Sequence, residues 1–168
     1  MPSWWDTWRR RRTVWGYPEQ ELTLTFDREN LATLIKARAI SEVVVRPAVG
    51  RDHLDVERVR RADRDWLTEW EATLPPNSST GLPTWEEYPA LMDARHAEGE
   101  GLAMIIQVDG HIAGLVSLGA VERGAMQSGI LGYWIVSEWA GLGITSLAVA
   151  AVIDLILGKL GLHRVEVN

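Results

Sequence analysis

Residues 130–167 read ILGYWIVSEWAGLGITSLAVAAVIDLILGKLGLHRVEV, and the order of signals in that stretch decides the fold. Gln127 to Val136 has the apolar, β-branched and aromatic character of a strand. Gly143 to Leu157 is apolar and long enough for a buried helix. His163-Arg164-Val165-Glu166-Val167 alternates faces as a strand does. A strand–helix–strand unit makes its two strands parallel neighbours, with the helix packed on one face of the sheet. The junction into the helix is Trp139-Ala140-Gly141-Leu142-Gly143-Ile144-Thr145, a turn with two glycines.

Upstream of this unit, Leu102–Val108 and His111–Leu118 are apolar runs separated by Asp109-Gly110. An Asp-Gly pair in that setting marks a two-residue hairpin, because both central positions need positive φ. Val43-Val44-Val45-Arg46-Pro47 reads as a short strand stopped by proline. Residues 51–71 are helical in tone, with Leu54, Val56, Val59, Ala62 and Leu67 among charged residues. Pro75 to Ser79 is a loop. Thr84-Trp85-Glu86-Glu87 fits a capping box before a helix carrying Tyr88, Leu91 and Met92 and ending near Gly99. Residues 1–41 read differently: Trp4, Trp5, Trp8 and Trp15 surround Arg9 to Arg12, and Asp27 caps a short helix with Leu31, Leu34 and Ile35. The expected division is therefore 1–41 as a Trp/Arg-rich extension, partly disordered, and 42–168 as the domain.

Composition narrows the function. The chain has 168 residues, 46% of them hydrophobic and 24% charged, which suits one globular domain with a real core. Its net charge of −6 argues against a broad nucleic-acid-coating surface. Cysteine is absent, which excludes disulfides, thiolate nucleophiles and cysteine-ligated metal sites. No His pair stands at ligand spacing, so no metal site is expected; His53, His96 and His111 fall near helix or turn surfaces. The apolar stretch Ile144–Leu157 contains Asp154 and falls short of the roughly twenty residues of a bilayer span, so no membrane association is expected. The start lacks a secretory signal, which makes the cytoplasm the default location.

The glycine turn has two readings. A helix start presents unpaired N–H groups and a partial positive charge, which favour phosphate, and glycines let the backbone approach closely. A structural turn uses the same residues. The dinucleotide fingerprint is not met, since position 146 is Ser, and no nucleotide P-loop is present.

The run GYWI…AGLGIT…AVAAVIDL…GLHRVEVN resembles the GNAT acetyltransferase superfamily, and more closely the RimJ/RimL-type protein N-acetyltransferases. The likeness extends back through VVVRPA, DRDWLTEWEATLP and the Asp109-Gly110 hairpin. It implies an α/β fold: a mixed, mostly antiparallel sheet splayed at its centre, with flanking helices. It implies acetyl-CoA as co-substrate and a primary amine as acceptor, such as the N-terminal α-amino group of a ribosomal protein; an aminoglycoside-like small amine is the alternative. By resemblance, the pantetheine arm pairs with the backbone of Trp134, Ile135 and Val136. The diphosphate lies on Ala140, Gly141, Leu142, Gly143, Ile144 and Thr145, and Asn168 adds a cofactor contact. Ala140 stands where the family has Gln or Arg, and Thr145 where it has a small residue.

The resemblance also implies that an R-P-E-N-x-x-S-like segment and two more strands follow the last strand. That places the catalytic residues beyond Asn168. The chain is then expected to be a piece of a longer reading frame with little or no transferase activity, a catalytically incomplete acyl-CoA-binding fragment or interaction module. Acceptor handling is expected from Trp70 and Glu71, with Ser128 and Tyr133 along the cofactor strand. Tyr133 shares a strand face with Leu131 and Ile135, which favours core packing. The Trp/Arg-rich start is a possible RNA or ribosome contact.

Overall fold

The structure, a computed structural model, describes residues 13–36, 39–70, 84 and 86–167. In chain order the strands are β1 (Thr13–Val14), β2 (Tyr17–Pro18), β3 (Leu24–Asp27), β4 (Glu42–Pro47), β5 (Leu102–Val108), β6 (His111–Glu122), β7 (Ser128–Ile135) and β8 (Arg164–Val167). The α-helices are α1 (Arg28–Leu34), α2 (Asp52–Ala62), α3 (Arg64–Leu67), α4 (Tyr88–Glu98) and α5 (Ile144–Gly158). β3 to β8 form one sheet in sequence order. All its pairs are antiparallel except β7 with β8, which run parallel, as the strand–helix–strand reading requires.

Central strands are covered on both faces, which explains the unbroken apolar run of β5. Met104 and Ile106 point into the main core with Val43, Val45, Val116, Leu118 and Leu131. α5 seals that face with Ile144, Ala148, Val152, Leu155 and Ile156, spaced as one side of a helix. On the opposite face Ile105 meets Val56 of α2 and Ala48, flanked by Leu115 and Trp134. Full burial of a side chain such as Ile106 or Ile156 is worth about 1.5–3 kcal/mol.

The Asp109-Gly110 turn has φ of 47° and 82°, the paired positive values expected of the hairpin. Asp109 does more than turn the chain. Its Oδ1 accepts from the backbone N–H groups of Ser41 (3.0 Å) and Glu42 (2.9 Å), which fixes the start of β4. Asp109→Ala therefore removes two hydrogen bonds and adds left-handed strain. It should lower unfolding free energy by about 2 kcal/mol, read as a lower urea midpoint at unchanged slope. The capping box also forms: Thr84 N–H donates to Glu87 Oε2 (3.1 Å) and Glu87 N–H to Thr84 Oγ1 (3.3 Å). The Thr84 hydroxyl, which donates to Glu87 Oε2 at 2.9 Å, and then the Thr84 N–H hold the exposed Glu87 carboxyl below the usual range.

The region before residue 42 departs from expectation. Residues 13–36 are not an extension but part of the packing: Val14, Leu22 and Leu31 are buried in the main core, and β3 pairs with β4. Asp27 caps α1, accepting from Asn30 N–H at 3.0 Å, as its sequence suggests. Trp15 and Gly16 form the β1–β2 turn with φ of 55° and 81°. The Trp15 indole N–H donates to Gly101 O (2.9 Å), and Arg123 stacks 4.5 Å from its ring centroid. Trp4, Trp5, Trp8 and Arg9–Arg12 lie outside the described residues, as do Pro75 to Ser79.

Candidate functional site

A groove of about 720 Å³ opens along the second half of β7. Its walls include Tyr133, Trp134 and Ile135 of β7, Trp66 and Trp70 of the α3 region, and Thr145 and Val149 of α5. β8 pairs with the first half of β7, over Ser128–Leu131. Among the described residues no strand pairs with Gly132–Ile135 on that side, and Val167 borders the resulting gap.

Register decides which peptide groups face the gap. In an antiparallel pair, alternate residues turn both polar groups toward the partner. Val136 N–H donates to Ala113 O (2.8 Å), and Gly132 O accepts from the Ser117 hydroxyl (3.4 Å). Even-numbered positions therefore face β6, and Tyr133 and Ile135 turn theirs to the groove. The sequence assigned Trp134, Ile135 and Val136 together to one ligand arm. The register leaves Ile135, joined by Tyr133, with groove-facing polar groups, because Val136 N–H is already bonded. Trp134 contributes its side chain instead, which reaches the α2 face of the sheet.

The glycine turn leads into Thr145 and Ser146, which line the groove. Gly141 (φ 74°) and Gly143 (φ 92°) are both left-handed, which only glycine adopts without cost. A Cβ at Gly141 would meet nothing within 4 Å. A Cβ at Gly143 would touch Ile35 at 3.7 Å, and Lys36 N–H donates to Leu142 O (2.9 Å). The end of α1 thus backs the turn. Ala140 and Leu142 are half-buried, and Leu142 packs against the core. Ile144 is wholly buried, so its side chain anchors α5 and only its backbone N–H is available to a ligand. Leu147 N–H bonds Gly143 O, beginning the helical ladder. The preceding N–H groups of Ile144, Thr145 and Ser146 belong to the first turn, where helices carry partial positive charge.

Two polar ties join the α3 region to the end of β7. Asp63 Oδ2 accepts from Ser137 N–H (2.6 Å), and Asp63 Oδ1 accepts from the Ser137 hydroxyl (3.1 Å). The Trp66 indole N–H donates to Ile135 O (3.1 Å). Asp63, Trp66, Ser137 and Ser146 were missed in the sequence. DRDW was part of the family likeness, but nothing local in it points across the fold to β7.

Several expectations need correction. Tyr133 is not a core residue: it is 48% exposed and lines the groove. Ser128 is not near the groove. It is buried at the other end of β7, beside Arg164, roughly 17 Å along the strand from Tyr133. Trp70 does line the groove and is exposed, whereas Glu71 and Asn168 lie outside the described residues.

His53 and His96 are not at the surface: they are 4% and 2% exposed. Together with Asp93 their ligand atoms lie within 4.8 Å of one another. The tautomer argues against a cation there. Ala103 N–H donates to His96 Nε2 (3.0 Å), so the neutral ring carries its proton on Nδ1, which has no partner. A donor, not a lone pair, is what the ring's second nitrogen offers. Burial, then the neighbouring His53, pushes the His96 pKa down to about 4.

Comparison with known proteins agrees with this geometry. The family model described as an acetyltransferase (GNAT) domain matches residues 42–168. The probable N-acetyltransferase YjcK of Bacillus subtilis (strain 168) is 40% identical over 58 residues, covering 34% of this chain and 32% of that protein. The structure of Mycobacterium smegmatis RimJ in complex with CoA-disulfide aligns with TM-score 0.63 at 30% identity, covering 75% of this chain and 61% of that one. A ribosomal-protein-S5-alanine acetyltransferase from Vibrio fischeri has the same fold, with TM-score 0.64 at 24% identity, covering 74% of this chain and 69% of that one. The chain thus spans about a third of the curated relative and under two thirds of the mycobacterial protein.

Proposed function

Because the chain belongs to the GNAT acetyltransferase family, we propose that its groove takes acetyl-CoA and presents the acetyl group to a primary amine. The amine we assign is the N-terminal α-amino group of a protein, such as a ribosomal protein. The observation that carries this reading is the continuity of one groove from the unpaired edge of β7 to the first turn of α5. The residues fit the ligand's chemistry in three places. The Tyr133 and Ile135 peptide groups offer the alternating donor and acceptor pattern that an amide-bearing arm satisfies by strand addition. The α5 N–H groups suit a diphosphate. The open space around Gly141 admits its bulk.

Bound acetyl-CoA supplies an activated thioester. The chain's residues hold it and exclude water. Trp66, Trp70 and Trp134 form an apolar wall that lowers local dielectric and favours the neutral amine over the ammonium. A protein N-terminus has an ordinary pKa near 8, so little desolvation is needed to free its lone pair. The remaining requirement is a proton for the departing thiolate.

One observation favours a second reading, a CoA-binding module without turnover. Among the described residues lining the groove, the Tyr133 hydroxyl is the sole side-chain group with a titratable proton. Calorimetry with CoA, paired with mass spectrometry of peptides incubated with acetyl-CoA, separates the cases. Binding plus a 42-dalton gain (roughly, one acetyl group) on peptide N-termini is the expected result. Binding without any gain selects the second reading, and no heat of binding overturns both.

A further inference from the structure

The Trp66 indole occupies a position on β7 that a ligand arm would need. The groove edge of β7 offers the peptide groups of Tyr133 and Ile135, and the Ile135 carbonyl already accepts from the Trp66 Nε1–H at 3.1 Å. A carbonyl at an unpaired strand edge is costly if left without a donor, and the indole meets that need in the free protein. We infer that Trp66 is a placeholder: its indole N–H holds the Ile135 carbonyl until the pantetheine amide replaces it. This inference rests on the acetyl-CoA reading above.

Three features support displacement over a permanent bond. The donor comes from α3, a four-residue helix that buries a single side chain, Leu67. The Trp66 ring is 41% exposed and itself lines the groove, so it has space to move. The anchor beside it is independent of the indole, since Asp63 grips Ser137 N–H and Oγ. The ring can leave Ile135 while the α2–α3 corner stays attached to the end of β7. A released Trp66 remains next to Trp70, on the wall where an acceptor would rest. Arrival of acetyl-CoA then reshapes the wall beside it. Trp66 is a positioning residue in this scheme.

The sign of the effect distinguishes a placeholder from a simple wall. Trp66→Phe keeps a flat aromatic ring and removes the competing donor. It should bind CoA about fivefold more tightly, the return expected when one neutral hydrogen bond no longer has to be broken. Loss of a purely structural contact would weaken binding. Calorimetry on the full chain reads the difference, and unchanged or weaker binding by the variant overturns the inference.

The wild-type chain provides a second test that does not depend on the variant folding. The Trp66 Nε1–H resonance, assigned through bonds, should move upfield on saturation with CoA as its hydrogen bond is lost. A static Trp66 signal, while the Tyr133 and Thr145 amide signals shift, overturns the placeholder and leaves CoA binding intact. No shift at any residue, with no heat of binding, overturns the acetyl-CoA reading and this inference with it.

Discussion

Gly141→Asp should weaken CoA binding at least a hundredfold while shifting the melting temperature by no more than a few degrees. Gly141 is exposed, its φ is 74°, and an added Cβ meets nothing within 4 Å. Aspartate tolerates left-handed backbone better than most residues, so the fold survives the change at a cost of about 1 kcal/mol. The ligand does not tolerate it. A carboxylate about 5 Å from a diphosphate charge, at an effective dielectric near 20, is opposed by about 3 kcal/mol, which is roughly a hundredfold in affinity. Gly141→Asn is the control: it has the same shape and backbone tolerance without the charge, and should lose less than about tenfold. Equal affinity for all three proteins would remove the glycine turn from the binding site. Gly143 is the poorer target. Its φ is 92° and its Cβ would already be in contact with Ile35 at 3.7 Å, so a longer side chain there mixes fold strain with ligand repulsion.

The second large effect is on acid stability. His96 is buried among His53 and Asp93, with its pKa down at about 4, chiefly through burial. In the unfolded chain the same imidazole titrates near its ordinary value of 6.5. Between those values the unfolded state binds a proton that the folded state refuses. Stability is therefore full above pH 6.5, falls as pH drops toward 4, and levels off for this group below that. The span corresponds to about 3 kcal/mol, a large share of a small domain's total. Urea midpoints measured from pH 7.5 to 4.5 should show the decline. His96→Gln keeps an acceptor for Ala103 N–H and has nothing to titrate, so its decline should be shallower. A wild-type midpoint that stays flat across this range, or an equal slope in the variant, rules His96 out as the cause.

Local chemistry explains which parts of this fold could be read in advance. Asp109-Gly110, the Thr84–Glu87 box and the β7–α5–β8 unit are each dictated by residues a few positions apart. Their turn preferences, caps and periodicity act within one element or between neighbours. The early hairpin escaped because its turn is Trp15-Gly16, and tryptophan at positive φ is held there by the distant residues Gly101, just before β5, and Arg123, just after β6. His53 and His96 read as surface residues because nothing nearby shows that α2, α4 and β5 converge on them. The site was legible in the same measure. The glycine turn and its helix stand out in sequence, whereas the bond from Trp66 to Ile135 spans 69 positions and follows from tertiary register alone. That Tyr133 lines an open groove rather than a packed face is a tertiary fact that its own alternation pattern cannot encode.

The backing of the glycine turn by Ile35 and Lys36 bears on what counts as the unit of this protein. The family match begins at residue 42, but shared exclusion of water begins before it, with Val14, Leu22 and Leu31. The family match and the packed core draw different borders here. Changes in the opening residues would, through that buttress, also retune the posture of the glycine turn.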